Sequence, residues 1–166
     1  MLKTERLSLH PLHQEDVGHL YLLMSNAEAM KFTYVAPSVQ ECAKRLYAYE
    51  DMRSTLGFAP WVLRTRKNES VVGWGGLSID PNEPKWGLEV SYAFRPDYWG
   101  QGLATELVQF SLVYAFMTLG AKEVNAFAME ANILSTNVLK KCGFQLLRYE
   151  HALLRNHFRA SVASAA

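Results

Sequence analysis

The stretch that decides the fold is Tyr98-Trp99-Gly100-Gln101-Gly102-Leu103-Ala104-Thr105-Glu106. It lies between a strand-like run, 88–94, and a helix-like run, 105–119. Glycine has no Cβ, so Gly100 and Gly102 let the backbone turn tightly or approach a ligand closely. A helix that begins directly after such a turn aims its free N–H groups and the positive end of its dipole into the turn. Strand, small-residue turn and helix N-terminus together make an anion cradle of the kind that takes phosphate. A dinucleotide fingerprint would need G-x-G-x-x-(G/A) inside a βαβ unit, with an acidic residue about 20 positions on. Here Thr105 stands at the third small position and the preceding strands alternate as an antiparallel set, so that reading is rejected. No Gly-Lys-(Ser/Thr) occurs, which removes a Walker loop.

Upstream, 61–65 and 71–79 read as antiparallel strands about the polar turn Arg66-Lys67-Asn68-Glu69-Ser70. Residues 6–12 alternate, with Leu7 and Leu9 on one side, as a strand does. The segment 15–24 repeats Val17, Leu20, Tyr21 and Met24 at helical spacing. Ser38 and Glu41 form a capping box that opens a second helix, running to about Met52 with Cys42, Leu46 and Tyr49 inward. Between these helices, 27–36 is a loop over a cleft, bearing Met30, Phe32 and Tyr34. Downstream, the helix after the glycine turn ends at Gly120. A strand at 122–128, a short helix at 135–142 and strands at 144–154 and 158–162 complete the chain. The order β-α-α-β-β-β-α-β-α-β-β predicts one α/β domain over 1–166, with a mixed, largely antiparallel central sheet and helices on both faces.

Composition narrows the function classes. With 17 basic and 16 acidic residues the net charge is +1, so bulk electrostatics points to neither a nucleic-acid nor a membrane partner. The two cysteines form no CxxC and the five histidines no HExxH, so no metal site is expected and the thiols suit a reducing compartment. The opening Met1-Leu2-Lys3-Thr4-Glu5-Arg6 lacks an apolar signal region. No apolar run is long enough to span a bilayer. A cytoplasmic monomer or homodimer is the expectation.

Five motifs in order now point to a family. They are Lys3-Thr4-Glu5-Arg6-Leu7-Ser8-Leu9, Glu89-Val90-Ser91-Tyr92, Trp99-Gly100-Gln101-Gly102-Leu103-Ala104, Asn132-x-x-Ser135 and Lys141-Cys142-Gly143-Phe144. The third falls on the pattern (Gln/Arg)-x-x-Gly-x-(Gly/Ala). Over nearly its whole length the chain resembles the GNAT superfamily of N-acyltransferases, and within it the branch that holds the ribosomal-protein N-terminal acetyltransferases. Trp99 departs from Gln or Arg at the first motif position, where an aromatic is familiar in that branch.

The resemblance implies acetyl-CoA as co-substrate. Backbone N–H groups from Gly100 to Thr105 would hold its pyrophosphate. Main-chain groups of Tyr92, Ala93 and Phe94 would pair with its pantetheine arm, and an N–H there would stabilise the oxyanion. Asn132 would bind the cofactor or pin the exit of the preceding strand; as a bare sequence feature it is equally a turn residue. Glu89 would act as general base through water, with amine binding or a structural role as alternatives. Many relatives place a tyrosine seven residues after the Asn as proton donor to the leaving thiolate. Leu139 stands there in this chain, and Ser135 is the remaining hydroxyl, as acid or as helix N-cap. Phe32 and Tyr34 would line the acceptor cleft.

The implied reaction is direct transfer to a primary amine. Cys142 ends a helix rather than starting one, so no dipole activates it as a nucleophile. An α-amine ionises near 7.8 and a lysine near 10.4, a gap of about 3.5 kcal/mol in freeing the base, which favours a peptide N-terminus or other α-amine as acceptor. Two further readings stand beside this one. One is a small-molecule amine acetyltransferase acting on an amino acid, polyamine or antibiotic. The other, suggested by Leu139, is a coenzyme A-binding regulatory domain without catalysis. The Ala/Ser-rich end, 160–166, leaves the acceptor-side wall unassigned.

Overall fold

Why β4 (Val71–Ser78) sits mid-sheet is written in its residues: all eight are buried, as expected of a strand covered on both faces. It pairs antiparallel with β3 (Trp61–Thr65) on one side and β5 (Glu89–Phe94) on the other. Beyond β3 lie β2 (Leu7–His10) and the short β1 (Leu2–Lys3). Beyond β5 lie β6 (Glu123–Ala128), β8 (Arg155–Ser161) and the edge strand β7 (Gln145–Glu150). The order is β1-β2-β3-β4-β5-β6-β8-β7, and only the β5–β6 pair is parallel. The computed structural model describes residues 2–162, so the end of the Ala/Ser-rich tail, 163–166, lies outside the described residues.

Helices cover both faces. On one, α1 (Asp16–Met24) and α2 (Val39–Glu50) bury Leu20, Met24, Cys42, Leu46 and Tyr49 against Val62 and Trp74. Ser38 caps α2 as its sequence demands, its hydroxyl accepting from the Glu41 N–H at 3.2 Å. The buried Asp16 accepts from the His13 N–H and pairs with Arg64 of β3, which ties α1 to the sheet. On the other face, α4 (Leu103–Val113) sets Leu103 and Leu107 against Leu7, Leu9, Val72 and Phe94. Its further residues Val108 and Leu112 join Val90, Val124 and Leu139 of α5 (Ile133–Lys141).

Several boundaries differ from the sequence reading. Helix α4 starts at Leu103, two residues before Thr105, because Gly102 takes a left-handed φ of 80° and serves as N-cap. It ends at Val113 and continues as a π-helical turn, Tyr114–Thr118, before Gly120 at φ 66°. The second helix stops at Glu50, and a separate turn α3 (Arg53–Leu56) ends at Gly57, φ 80°. The expected strand 144–154 is shorter: the chain turns at 151–154, with Leu154 at φ 53°. The last strand therefore begins at Arg155, not at 158. Its polar residues Asn156, His157 and Arg159 hid it from a reading based on hydropathy.

Candidate active site

The parallel contact between β5 and β6 is a single bridge, Glu89 opposite Asn125, with the Asn125 N–H donating to the Leu88 carbonyl at 2.8 Å. Beyond it β5 keeps its full register with β4, from Ser78–Glu89 to Gly73–Phe94, while β6, paired throughout with β8 on its other edge, makes no further bridge to β5. The strands splay, and β5 is left with a bare edge. The Arg95 N–H donates to Val72, and the Ser91 and Ala93 carbonyls crowd β4 at Gly75 and Gly73. By alternation Tyr92 and Phe94 turn their backbone groups into the gap. Ala93, expected to share in main-chain pairing there, pairs instead with Trp74 of β4, and its methyl faces the α1/α2 side.

Asn125 holds the closed end of the gap. Its Nδ2 donates to the carbonyls of Trp86 at 3.1 Å and Leu88 at 3.3 Å. Its Oδ1 accepts from Arg159 Nε at 3.1 Å and faces His157 Nε2 at 2.8 Å, which sets that ring as the Nε2–H tautomer. Burial holds the His157 ring below its ordinary ionisation, and it stacks on Phe127 at 4.6 Å.

Side chains on β5 alternate between the two faces. Glu89 points to the α1/α2 side, into a cavity of about 340 Å³ that Tyr34, Arg45, Tyr49, Asp80, Trp86 and Arg155 also line. Burial, with Asp80 adding to it and Arg155 and Arg45 pulling the other way, pushes its carboxyl up to about 7. Tyr34 lies in the wall, whereas Phe32 is not among the lining residues and instead offers its carbonyl, which accepts from Arg155 Nη2 at 3.3 Å.

Val90, Tyr92 and Phe94 point to the α4/α5 side. The Tyr92 hydroxyl crosses the gap to the Ser135 Oγ at 2.9 Å. Burial raises the phenol to about 12, so it stays protonated, though the Ser135 hydrogen bond opposes that rise. The cap of α5 is Asn132, whose Oδ1 accepts from the Ser135 N–H at 3.2 Å. Ser135 is therefore not the N-cap, and its hydroxyl is free for other work. Leu139 is buried in the core. Burial raises the Cys142 thiol, the wrong direction for a nucleophile.

The glycine turn lies at the far end of the same edge. Gly100 and Gly102 adopt φ of 70° and 80°, where a side chain would be strained. Among the described residues the N–H groups of 100–105 have no protein acceptor. Trp99 fixes the turn to the strand, its indole donating to the Phe94 carbonyl at 2.8 Å. Arg6 holds the turn from outside, bonding the Gln101 carbonyl at 2.6 Å and pairing with Glu106 at 2.7 Å. The arrangement fits a coenzyme A thioester: N–H donors for a diphosphate, a bare strand edge for an amide-bearing arm and two hydroxyls beside the gap.

Sequence reasoning did not single out Asp80, Arg45, Arg155, Asn125 or the Tyr92 hydroxyl. Only the topology brings these residues together. Within the motifs, the signal for Tyr92 was its place in Glu89-Val90-Ser91-Tyr92, which points Glu89 and Tyr92 to opposite faces.

Residues 6–145 match the family model described as "Acetyltransferase (GNAT) domain". The chain is 32% identical over 151 residues to the FsC-acetyl coenzyme A-N(2)-transacetylase of Aspergillus fumigatus, covering 86% of this chain and 63% of that protein. A solved acetyltransferase from Agrobacterium tumefaciens superposes with a TM-score of 0.83 at 20% identity, covering 96% of this chain and 92% of the other. AAC(6')-Ib, solved with ribostamycin and coenzyme A, superposes with a TM-score of 0.79 at 12% identity, covering 96% of each chain. Among the described residues no helix is long and apolar enough to cross a membrane.

Proposed function

Because the chain belongs to the GNAT acetyltransferase family, we propose that it transfers the acetyl group of acetyl-CoA directly to the nitrogen of a primary amine. The observation that carries this reading is Glu89, a carboxylate ionising at about 7, set in a cavity that opens on the β5–β6 gap. A carboxyl of that kind is part-ionised at neutral pH and matched to an α-amine ionising near 7.8. Glu89 takes the amine proton, directly or through one water, as the nitrogen bonds to the acetyl carbon. The N–H groups of Tyr92 and Phe94 face the gap; one stabilises the oxyanion and the other pairs with the pantetheine arm. As the carbon–sulfur bond breaks, the Tyr92–Ser135 hydroxyl pair protonates the departing thiolate.

Supporting residues have distinct tasks. The N–H groups of 100–105, with Trp99 and Arg6 fixing the turn, bind the diphosphate. Asn132 positions Ser135 by capping its helix, and Asn125 holds Glu89 at the closed end of the gap. Tyr34 contacts the acceptor. The resemblance to the ribosomal-protein branch makes a peptide N-terminal α-amine one acceptor of the right chemistry. The bounded cavity of about 340 Å³ favours a small amine, or a single terminal residue, over a polypeptide groove. The expected single domain, cytoplasmic location and monomeric or dimeric state belong to the same proposal.

The test is free-thiol release from acetyl-CoA with peptides, amino acids and polyamines, with the product identified by mass spectrometry. Release above the no-acceptor rate together with an N-acetylated product is expected. Acetyl-CoA binding without turnover on any amine would overturn the reading in favour of a binding-only domain.

A further inference from the structure

Two cations share the cavity with Glu89. Arg45 comes from α2 and Arg155 from the start of β8. The Arg45 guanidinium lies 5.0 Å from the Tyr34 ring centre and 5.8 Å from that of Tyr49. Arg155 meets only a carbonyl, that of Phe32. Among the described residues, Arg6, Arg53, Arg64, Arg95, Arg148 and Arg159 each have a carboxylate partner within 4.0 Å; Arg66 is spent on the carbonyls of Thr4 and Glu5, and Arg45 and Arg155, the two in the cavity, have no carboxylate partner. On the acidic side, Glu83 is paired with Lys85 at 3.1 Å, which leaves Asp80 and Glu89. Arg45, Asp80, Glu89 and Arg155 all line the one cavity, and the charges of Asp80, Arg155 and Arg45 bear on Glu89 across it.

A partly buried guanidinium with no carboxylate in bonding range is incompletely paired, and its planar fork matches a carboxylate in a bidentate pair. A polycation would bring no carboxylate for the two guanidiniums and would set a second positive charge against them. Resting on the acetyltransferase reading above, we propose that the acceptor is a small zwitterion, a primary amine presented to Glu89 and Asp80 whose own carboxylate is held by Arg45 and Arg155. A free α-amino acid has that layout, with amine and carboxylate on one carbon. The aromatic rings of Tyr34, Tyr49 and Trp86 supply the apolar wall for its side chain.

The test compares kcat/KM for the common amino acids, their C-terminal amides and spermidine, by thiol release at fixed acetyl-CoA. The acid form should exceed its own amide by about tenfold or more, the weight of one charge-assisted pair. Arg45→Gln and Arg155→Gln should raise KM for the acid far more than for the amide, so that the acid-to-amide ratio of kcat/KM falls towards one, and Arg45→Lys should restore part of the preference. Thermal unfolding of each variant separates a lost contact from a lost fold. Amides or spermidine used as well as the acids would overturn the zwitterion proposal and leave acetyl transfer standing. No release with any amine would overturn both.

Discussion

Replacing Glu89 with glutamine separates the chemistry of the carboxylate from its packing, because glutamine keeps the shape and removes the ionisation. A positioned general base contributes about 10²–10⁴ in rate, so kcat should fall by about a hundredfold or more. The wild-type kcat should also show an acid limb. A carboxyl ionising at about 7 is mostly protonated, and idle as a base, near pH 6. The Glu89→Gln variant should lose that limb. Stability moves the other way. The folded ionisation lies above the ordinary 4.5, so the fold holds the proton more tightly than the unfolded chain does. That stabilisation is complete below about pH 4.5 and is lost as pH rises through about 7. By pH 8 the buried charge costs about 3 kcal/mol, which glutamine avoids. The variant should therefore be more stable than wild type near pH 8 and nearly equal to it near pH 4. Thiol-release kinetics across pH and urea unfolding at the two pH values provide the assay. A variant with kcat within threefold of wild type and its acid limb intact would refute the base assignment. Equal stability differences at both pH values would refute the desolvation argument.

Further perturbations probe the other parts. Gly102→Ala places a side chain at φ 80°, so it should cost about 1–2 kcal/mol in urea unfolding and raise KM for acetyl-CoA with little change in acceptor KM. Tyr92→Phe and Ser135→Ala should each lower kcat, and the double variant should lose little more than either single one, since each removes the same 2.9 Å contact. Additive losses would separate the two hydroxyls. Asn125→Ala removes the groups that bond Trp86, Leu88, His157 and Arg159, and should cost about 3 kcal/mol in unfolding while lowering kcat through a displaced Glu89. An unchanged kcat in a folded Asn125→Ala protein would show that the clamp does not position the base.

Local signals account for what the sequence made legible. The capping box at Ser38 and Glu41, the glycine turn and the alternation in 61–79 each act within a few residues, and each produced the expected element. The β5–β6 gap is different in kind. It exists because β6, paired along its other edge with β8, makes a single bridge to β5, and β8 is built on polar positions that hydropathy does not reveal. The same cause hid the cavity cations: Arg155 lies 66 positions from Glu89 and Arg45 lies 44, and only the fold closes those distances. Ser135 had two equal readings until Asn132 took the cap. Phe32 looked like its neighbour Tyr34 in sequence, but its ring lies outside the cavity wall while its carbonyl serves Arg155.

The central claim is that the acetyl thioester lies along the bare edge of β5 with its phosphates on the glycine turn. Backbone amide resonances, followed while coenzyme A is added to the isotope-labelled protein, test this most directly. The N–H signals of 100–105 and those of Tyr92 and Phe94 should move together, saturating at one ligand per chain, while those of β1 and β2 stay in place. Movement confined to another surface, or none at saturating coenzyme A, would contradict the account.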